Sequence, residues 1–405
     1  MSLIAELLFW FSASAIFYVY VGYPLLLVIL SMIRSRPVRK AGFTPSVSII
    51  ITAYNEGRDL AAKLENTLLL DYDKDLLEII VASDCSTDNT DQVASSFAPQ
   101  GVRLHRQPKR LGKTAAQNAA IETARGEIVL FSDATSFYRP DVLKAIMPSF
   151  ADPTVGCVAG RLEYVNPSRS NTGQGARSYW GYELFLKRQE SRVCSLIGVS
   201  GCLYAVRRSA YVAMYNEACS DFLIATKMME QGLRSVYEPE AVCFEQTNQG
   251  PKRELQMRVR VITQTYTDLW RHRAILNPVR GGLYSVQLFS HKVMRYSVPF
   301  FLTAIVFSSA LLARESPFHF SVLVAAFIFS VLAFVGWRLE AAKIPNRVLT
   351  LPYYFILANM ASIIALYKFF TGERYARWDP IRDTLGNPQG SGSVSITANS
   401  EGSGQ

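Results

Sequence analysis

The sequence predicts a mainly parallel, doubly wound α/β domain with helices on both faces, set between α-helical membrane segments. Between Pro45 and roughly Thr267, β-branched apolar runs alternate with stretches of helical spacing. Apolar segments of membrane length precede and follow that block. Within it, Asp84, Asp133 and Asp221 stand at strand or loop ends.

The first apolar segment, within 1–33, is too long for a signal peptide, lacks a basic start and leads into Arg34, Arg36, Arg39 and Lys40. It is expected to be a retained span, with 34–44 as a basic linker. Only Glu6 marks its other end, so the positive-inside rule puts the following block in the cytoplasm. Residues 47–53 then form a buried-strand pattern ending at Tyr54, Asn55, Glu56 and Gly57, and 60–70 have helical spacing. A second strand over 77–82 ends at Ser83 and Asp84, with Ser86, Thr87 and Asp88 as caps for the next helix. The beat repeats: 102–105 leads into a helix over 114–124, and 128–131 ends at Ser132 and Asp133. In such sheets ligands bind beyond the carboxyl ends of strands, where Asp84 and Asp133 both fall.

The portion 155–246 is less regular, with a strand near Val158, an aromatic-rich helix over 180–190, a turn at 198–201 and a helix over 221–231. The globular domain is expected to occupy 45–275. Residues 281–296 mix apolar positions with Gln287, His291, Lys292 and Arg295, as in an amphipathic helix lying in a membrane interface. Transmembrane helices are expected within 297–370, a basic juxtamembrane segment over 371–385 and a disordered tail over 386–405. One N-terminal and three C-terminal spans would put Lys368, Arg374, Arg377 and Arg382 outside, against the charge rule. Either the first segment is a hairpin broken near Gly22 and Pro24, one C-terminal segment does not span, or the rule fails.

A net charge of +9 on 405 residues could signal nucleic acid, but the Lys and Arg residues gather beside apolar segments, where lipid headgroups and topology explain them. No nucleic-acid partner is expected. Six cysteines without a CxxC pair fit a reduced domain, not a zinc or disulfide framework.

Gly112, Lys113 and Thr114 match the tail of a phosphate-binding loop, but Gln107 stands where that loop needs glycine. Lys113 is left as a phosphate contact or a solvated lysine. Asp133, in FSDATSF with Thr135 two residues on, offers oxygen ligands to Mg2+ or Mn2+, although an aspartate after a strand is commonly a turn or cap. Asp221 opens a helix and reads as an N-cap or a general base. Trp180 could stack on a sugar or belong to the core. Arg207 and Arg208 could meet phosphate or line a solvated edge, and His291, lacking Cys or His neighbours, reads as an interfacial residue and not a metal ligand.

These pieces resemble the family 2 glycosyltransferases with a GT-A nucleotide-sugar domain. The resemblance is carried by TAYNEG at 52–57, ASDCSTDNT at 82–90, LGKTAAQNAA at 111–120, FSDATSFYRPDVL at 131–143, YWGYE at 179–183, GVSGCLYAVRR at 198–208 and SDFLIATKMMEQGLRSVYEPEA at 220–241. It implies an α/β GT-A fold and an inverting transfer from a UDP-sugar to a lipid-linked or polysaccharide acceptor, at the bacterial inner membrane among its lipids. It further implies that Ala53, Glu56, Asp84, Lys113 and Asp133 bind nucleotide, that Asp133 with Thr135 holds Mg2+ or Mn2+, and that Asp221 is the base. Trp180, Glu183, Gly201 and Arg260 would meet the acceptor. Thr135 replaces the second acid of the usual Asp-x-Asp, and Ser220 the acid before the base. No QxxRW occurs around Gln256–Val261, which argues against a processive polysaccharide synthase. That synthase and an inactive nucleotide-sugar-binding scaffold subunit are the alternatives.

Overall fold

The structure is a computed structural model that describes residues 2–165, 171–246, 251–342, 344 and 346–377. The juxtamembrane residues beyond 377 and the tail lie outside the described residues. The strands are β1 Val47–Ala53, β2 Leu77–Ser83, β3 Val102–Arg106, β4 Ile128–Asp133, β5 Phe137–Tyr138, β6 Val155–Val165, β7 Tyr204–Arg207 and β8 Arg234–Gln246. They form one sheet in the order β3-β2-β1-β4-β7-β6-β8-β5.

The first four strands are parallel, as the sequence predicts, and β7 runs antiparallel to β4 and β6. Every residue of β1 is buried because it is central and covered on both faces. Its alternation assigns Val47, Ile49 and Ile51 to one core and Ile50 to the other. The helices are α1 Ser2–Phe17, α2 Tyr23–Ile33, α3 Leu60–Leu68, α4 Thr90–Ser96, α5 Lys113–Thr123, α6 Val142–Ile146, α7 Asn171–Val193, α8 Ser220–Glu230, α9 Pro251–Arg271, α10 Pro278–Gly281, α11 Leu283–Leu288, α12 Val298–Leu312, α13 Pro317–Ala341 and α14 Arg347–Phe370. Leu60 and Leu64 of α3, with Val142 and Leu143 of α6, fill the first core. Ala116 and Ala120 of α5, with Leu223, Ile224 and Met228 of α8, fill the second.

Among the described residues three helices are long and apolar enough to cross a membrane, Ser2–Ile33, Pro317–Ala341 and Val348–Phe370, and Leu283–Met294 with Val298–Leu312 forms a pair bent by 56°. The hairpin alternative for the first segment is wrong. Pro24 has no N–H to give, and the chain accommodates this with a π-helical turn at Tyr18–Gly22 instead of reversing. Within 281–296, expected to lie in a membrane interface, Tyr284, Gln287, Leu288 and His291 are buried within the protein and Phe289 is exposed.

Helix α14 lies along α9 of the globular domain. Tyr354 hydroxyl donates to Glu254 Oε1 at 2.9 Å near the start of both helices, and the Tyr266 and Phe369 rings lie 5.9 Å apart near their ends. Beyond α14 the chain returns to the domain: Gln264 Nε2 donates to the Tyr375 carbonyl at 2.7 Å, and the Ala376 carbonyl rests against Gly112. Leu283 and the segment after α14 therefore both adjoin the globular domain.

Candidate active site

Parallel pairing aligns Thr52 with Asp133 and Ala53 with Ser83, so Tyr54, Asp84 and Asp133 share one sheet edge. The loop after β1 is locked to the loop after β2. Asn55, in the left-handed region at φ 55°, accepts the Thr87 amide on its side-chain oxygen at 2.7 Å, and the Glu56 amide donates to Thr90 Oγ1 at 2.8 Å. Asp84 is fully buried and accepts the amides of Leu111 and Gly112 at 2.8 and 2.9 Å. Its carboxylate thus fixes the loop that presents Lys113, with the Arg110 guanidinium 3.7 Å from the Tyr54 ring centroid. Lys113 opens α5 and pairs with Asp133. Burial opposes its charge, yet Asp133 and then Asp221 raise its pKa above the usual lysine range.

Antiparallel pairing of Phe131 with Tyr204 brings the turn before β7 beside Asp133. Gly201 lies on that turn. A Cβ there would lie 3.2 Å from Asp221 Oδ2 and 3.3 Å from Lys113 Nζ, so this glycine permits the close approach of base candidate and ammonium. Asp221 is not the N-cap of α8, which is Cys219. It sits in the first helical turn, where the helix dipole favours its charge, and accepts the Cys219 thiol at 2.9 Å.

Asp268 of α9 holds the Cys219 amide at 3.1 Å and the Tyr215 hydroxyl. Burial pushes its pKa up to about 8. Glu245 of β8 accepts the Ser136 hydroxyl at 2.5 Å, and burial followed by Asp133 pushes its pKa up to about 7. Sequence reasoning missed both; Glu245 was legible only as the acid following the long apolar run of β8, and Asp268 only as an acid on the face of α9 one turn beyond Gln264.

Other expectations fall elsewhere. Glu183 is 7% exposed and pairs with Arg295 and, at 3.1 Å, with His291, so it joins the domain to the apolar helices and does not form an acceptor surface. His291 also meets Glu190 at 2.7 Å and is buried, not interfacial. Trp180 donates to the Leu162 carbonyl at 2.9 Å and packs on the first core, the bland reading of that residue. Arg207 binds the Val155 carbonyl at 2.8 Å and Arg208 that of Gly126 at 2.8 Å; both tie strand ends together. Thr135 is exposed on the turn after Asp133, and Arg260 stands one turn before Gln264 on α9.

The donor set near Asp133 fits a hard divalent cation, since it is made of oxygens: the Asp133 carboxylate and that of Glu245, which Ser136 fastens to the Asp133 turn.

Residues 48–214 match the model of glycosyl transferase family 2. The chain is 27% identical over 252 residues to an N-acetylglucosaminyltransferase of Sinorhizobium fredii, covering 58% of this chain and 60% of that relative. It is 27% identical over 173 residues to a beta-monoglucosyldiacylglycerol synthase of a Nostoc species, covering 42% of this chain and 37% of the relative. These matches span less than two thirds of either relative. Among solved structures, a mannosyltransferase of Pyrobaculum calidifontis in complex with GDP-Man and Mn2+ superposes with a TM-score of 0.70 at 23% identity, covering 90% of this chain and 99% of that one. Over residues 48–214 the chain is therefore similar to glycosyl transferase family 2, and it has a GT-A type sheet domain with apolar helices on both sides of it.

Proposed function

We propose that the protein is an inverting glycosyltransferase that moves a sugar from a UDP-sugar to a lipid-linked or polysaccharide acceptor at the bacterial inner membrane. One observation carries the reading: a carboxylate on a helix start, Asp221, and an ammonium paired with Asp133, Lys113, face each other across Gly201. Asp221 accepts the proton of the attacking hydroxyl, and Lys113 attracts the diphosphate of the donor. Asp133 holds the divalent cation, Mg2+ or Mn2+, which when bound stabilises charge on the leaving diphosphate. A single displacement inverts the anomeric centre and forms no sugar–enzyme bond. Ala53 and Glu56 wall the nucleotide, and Asp84 serves it by fixing the Leu111–Gly112 loop. Gly201 and Arg260 face the acceptor.

A cytoplasmic domain is supported by Arg34, Arg36, Arg39 and Lys40 at the end of the first helix, and by Lys368 and Arg374 beside the domain-bound segment after α14. The test incubates the detergent-purified full chain with UDP- and GDP-sugars, Mn2+ or Mg2+ and lipid extracts, following nucleotide release and product size. Single additions from a UDP-sugar are expected, and Asp221→Asn should lower transfer by about 10²–10⁴-fold while UDP still binds. Unchanged turnover in that variant would overturn the assignment of the base.

A further inference from the structure

Thr135 leaves Asp133 as a lone carboxylate on its turn. A single carboxylate is a weak anchor for a cation that prefers several oxygen ligands. The strand pairing supplies another acid from a distant part of the chain. Strand β5 pairs antiparallel with β8, Phe137 opposite Phe244, which sets Ser136 across from Glu245. The Ser136 hydroxyl donates to Glu245 Oε1 at 2.5 Å, and its amide donates to the Asp133 carbonyl at 3.3 Å. One residue thereby fastens the Asp133 turn to the Glu245 carboxylate.

The charges around the pair point the same way. Lys113, paired with Asp133, also feels Glu245. Beneath them Lys63 is fully buried, with its Nζ 3.5 Å from the Tyr138 ring centroid and no hydrogen-bond partner, and the same two acids act on it. Burial lowers the Lys63 pKa to about 7, so the standing positive charge beside the two acids is that of Lys113, which is paired with Asp133. Ser136 thus holds the Glu245 carboxylate beside the turn whose Asp133 is paired with the Lys113 ammonium.

We infer that Glu245 is the second carboxylate ligand of the divalent-cation site, supplied by β8 in place of the acid that Thr135 replaces. The inference rests on the reading that Asp133 meets a cation together with UDP. Its rival is a soft site, since the Cys202 and Cys243 sulfur atoms and a Glu245 oxygen lie within 4.8 Å of one another. Both thiols are buried, whereas Mg2+ and Mn2+ select oxygen.

The test measures Mn2+ binding to the detergent-purified full chain by the loss of its free electron paramagnetic resonance signal, with and without UDP. Glu245→Gln should weaken UDP-dependent Mn2+ binding by about tenfold or more, and Glu245→Asp by less. Metal-free melting of Glu245→Gln should match or exceed wild type, because one of two facing acids is removed. Wild-type Mn2+ affinity in Glu245→Gln would overturn this inference and leave the proposed function standing. Absence of UDP-dependent Mn2+ binding in the unaltered chain would overturn the metal reading of Asp133 and this inference together. Metal binding that favours Zn2+ over Mn2+ and is lost in Cys202→Ser would overturn it in favour of the thiol site.

Discussion

The Cys219 thiol donates to Asp221 Oδ1 at 2.9 Å while the Cys219 amide is held by Asp268, so the proposed base is aimed from α9 through a single cysteine. Removing the thiol in Cys219→Ala should lower kcat by roughly tenfold through misplacement of the carboxylate, with KM for the donor little changed. Cys219→Ser, which retains a donor, should recover most of it. Steady-state kinetics on the three proteins check this, and equal loss in the Ser and Ala variants would refute it.

Asp268 gives stability a pH dependence with a definite sign. Its pKa rises from 3.8 to about 8 because burial penalises the charge. Between those values the native state binds more protons than the unfolded state, so this contribution is complete below pH 3.8 and is lost as pH rises through about 8. Asp268→Asn should flatten the fall in melting temperature between pH 5 and 8, in buffers of about those values. A parallel fall in the variant would count against the assignment.

Asp84→Ala should destabilise the domain by about 2–3 kcal/mol, since it strands two amides bound to a buried carboxylate. The Leu111–Gly112 loop then loses its anchor, and UDP affinity should fall with it. Denaturant titration and calorimetric UDP binding report the two effects separately.

Glu183→Ala should cost about 3–5 kcal/mol, because it removes the buried acid paired with Arg295 and one of the two acids on His291. The loss should show at the junction between domain and apolar helices, as faster proteolysis near α11. Protease sensitivity unchanged from wild type would argue that the ion cluster is not holding that junction.

Much of this was readable from sequence. The β-branched runs of β1, β2 and β4 fix buried parallel strands, and their register follows once Asp84 and Asp133 are aligned on one edge. What sequence could not give was long-range partnership. Glu183 has the spacing of an acceptor-facing acid, yet its partners His291 and Arg295 lie more than a hundred residues away. Glu245 was silent for the same reason, its link to Asp133 depending on the β5–β8 pairing. Within 281–296 the partners of Gln287 and His291 were silent too, since both are polar toward Glu190 inside the protein.

The contact of Ala376 with Gly112 bears on where this chain can be cut. Gly112 carries the amide held by Asp84 at the donor loop, and the segment touching it arrives only after the last apolar helix has run the length of α9. A soluble fragment ending near Arg271 would keep every residue of the matched family region and still lack one wall beside its donor loop. Donor affinity should therefore differ between the full chain and the isolated sheet domain, because only the full chain brings Ala376 against Gly112.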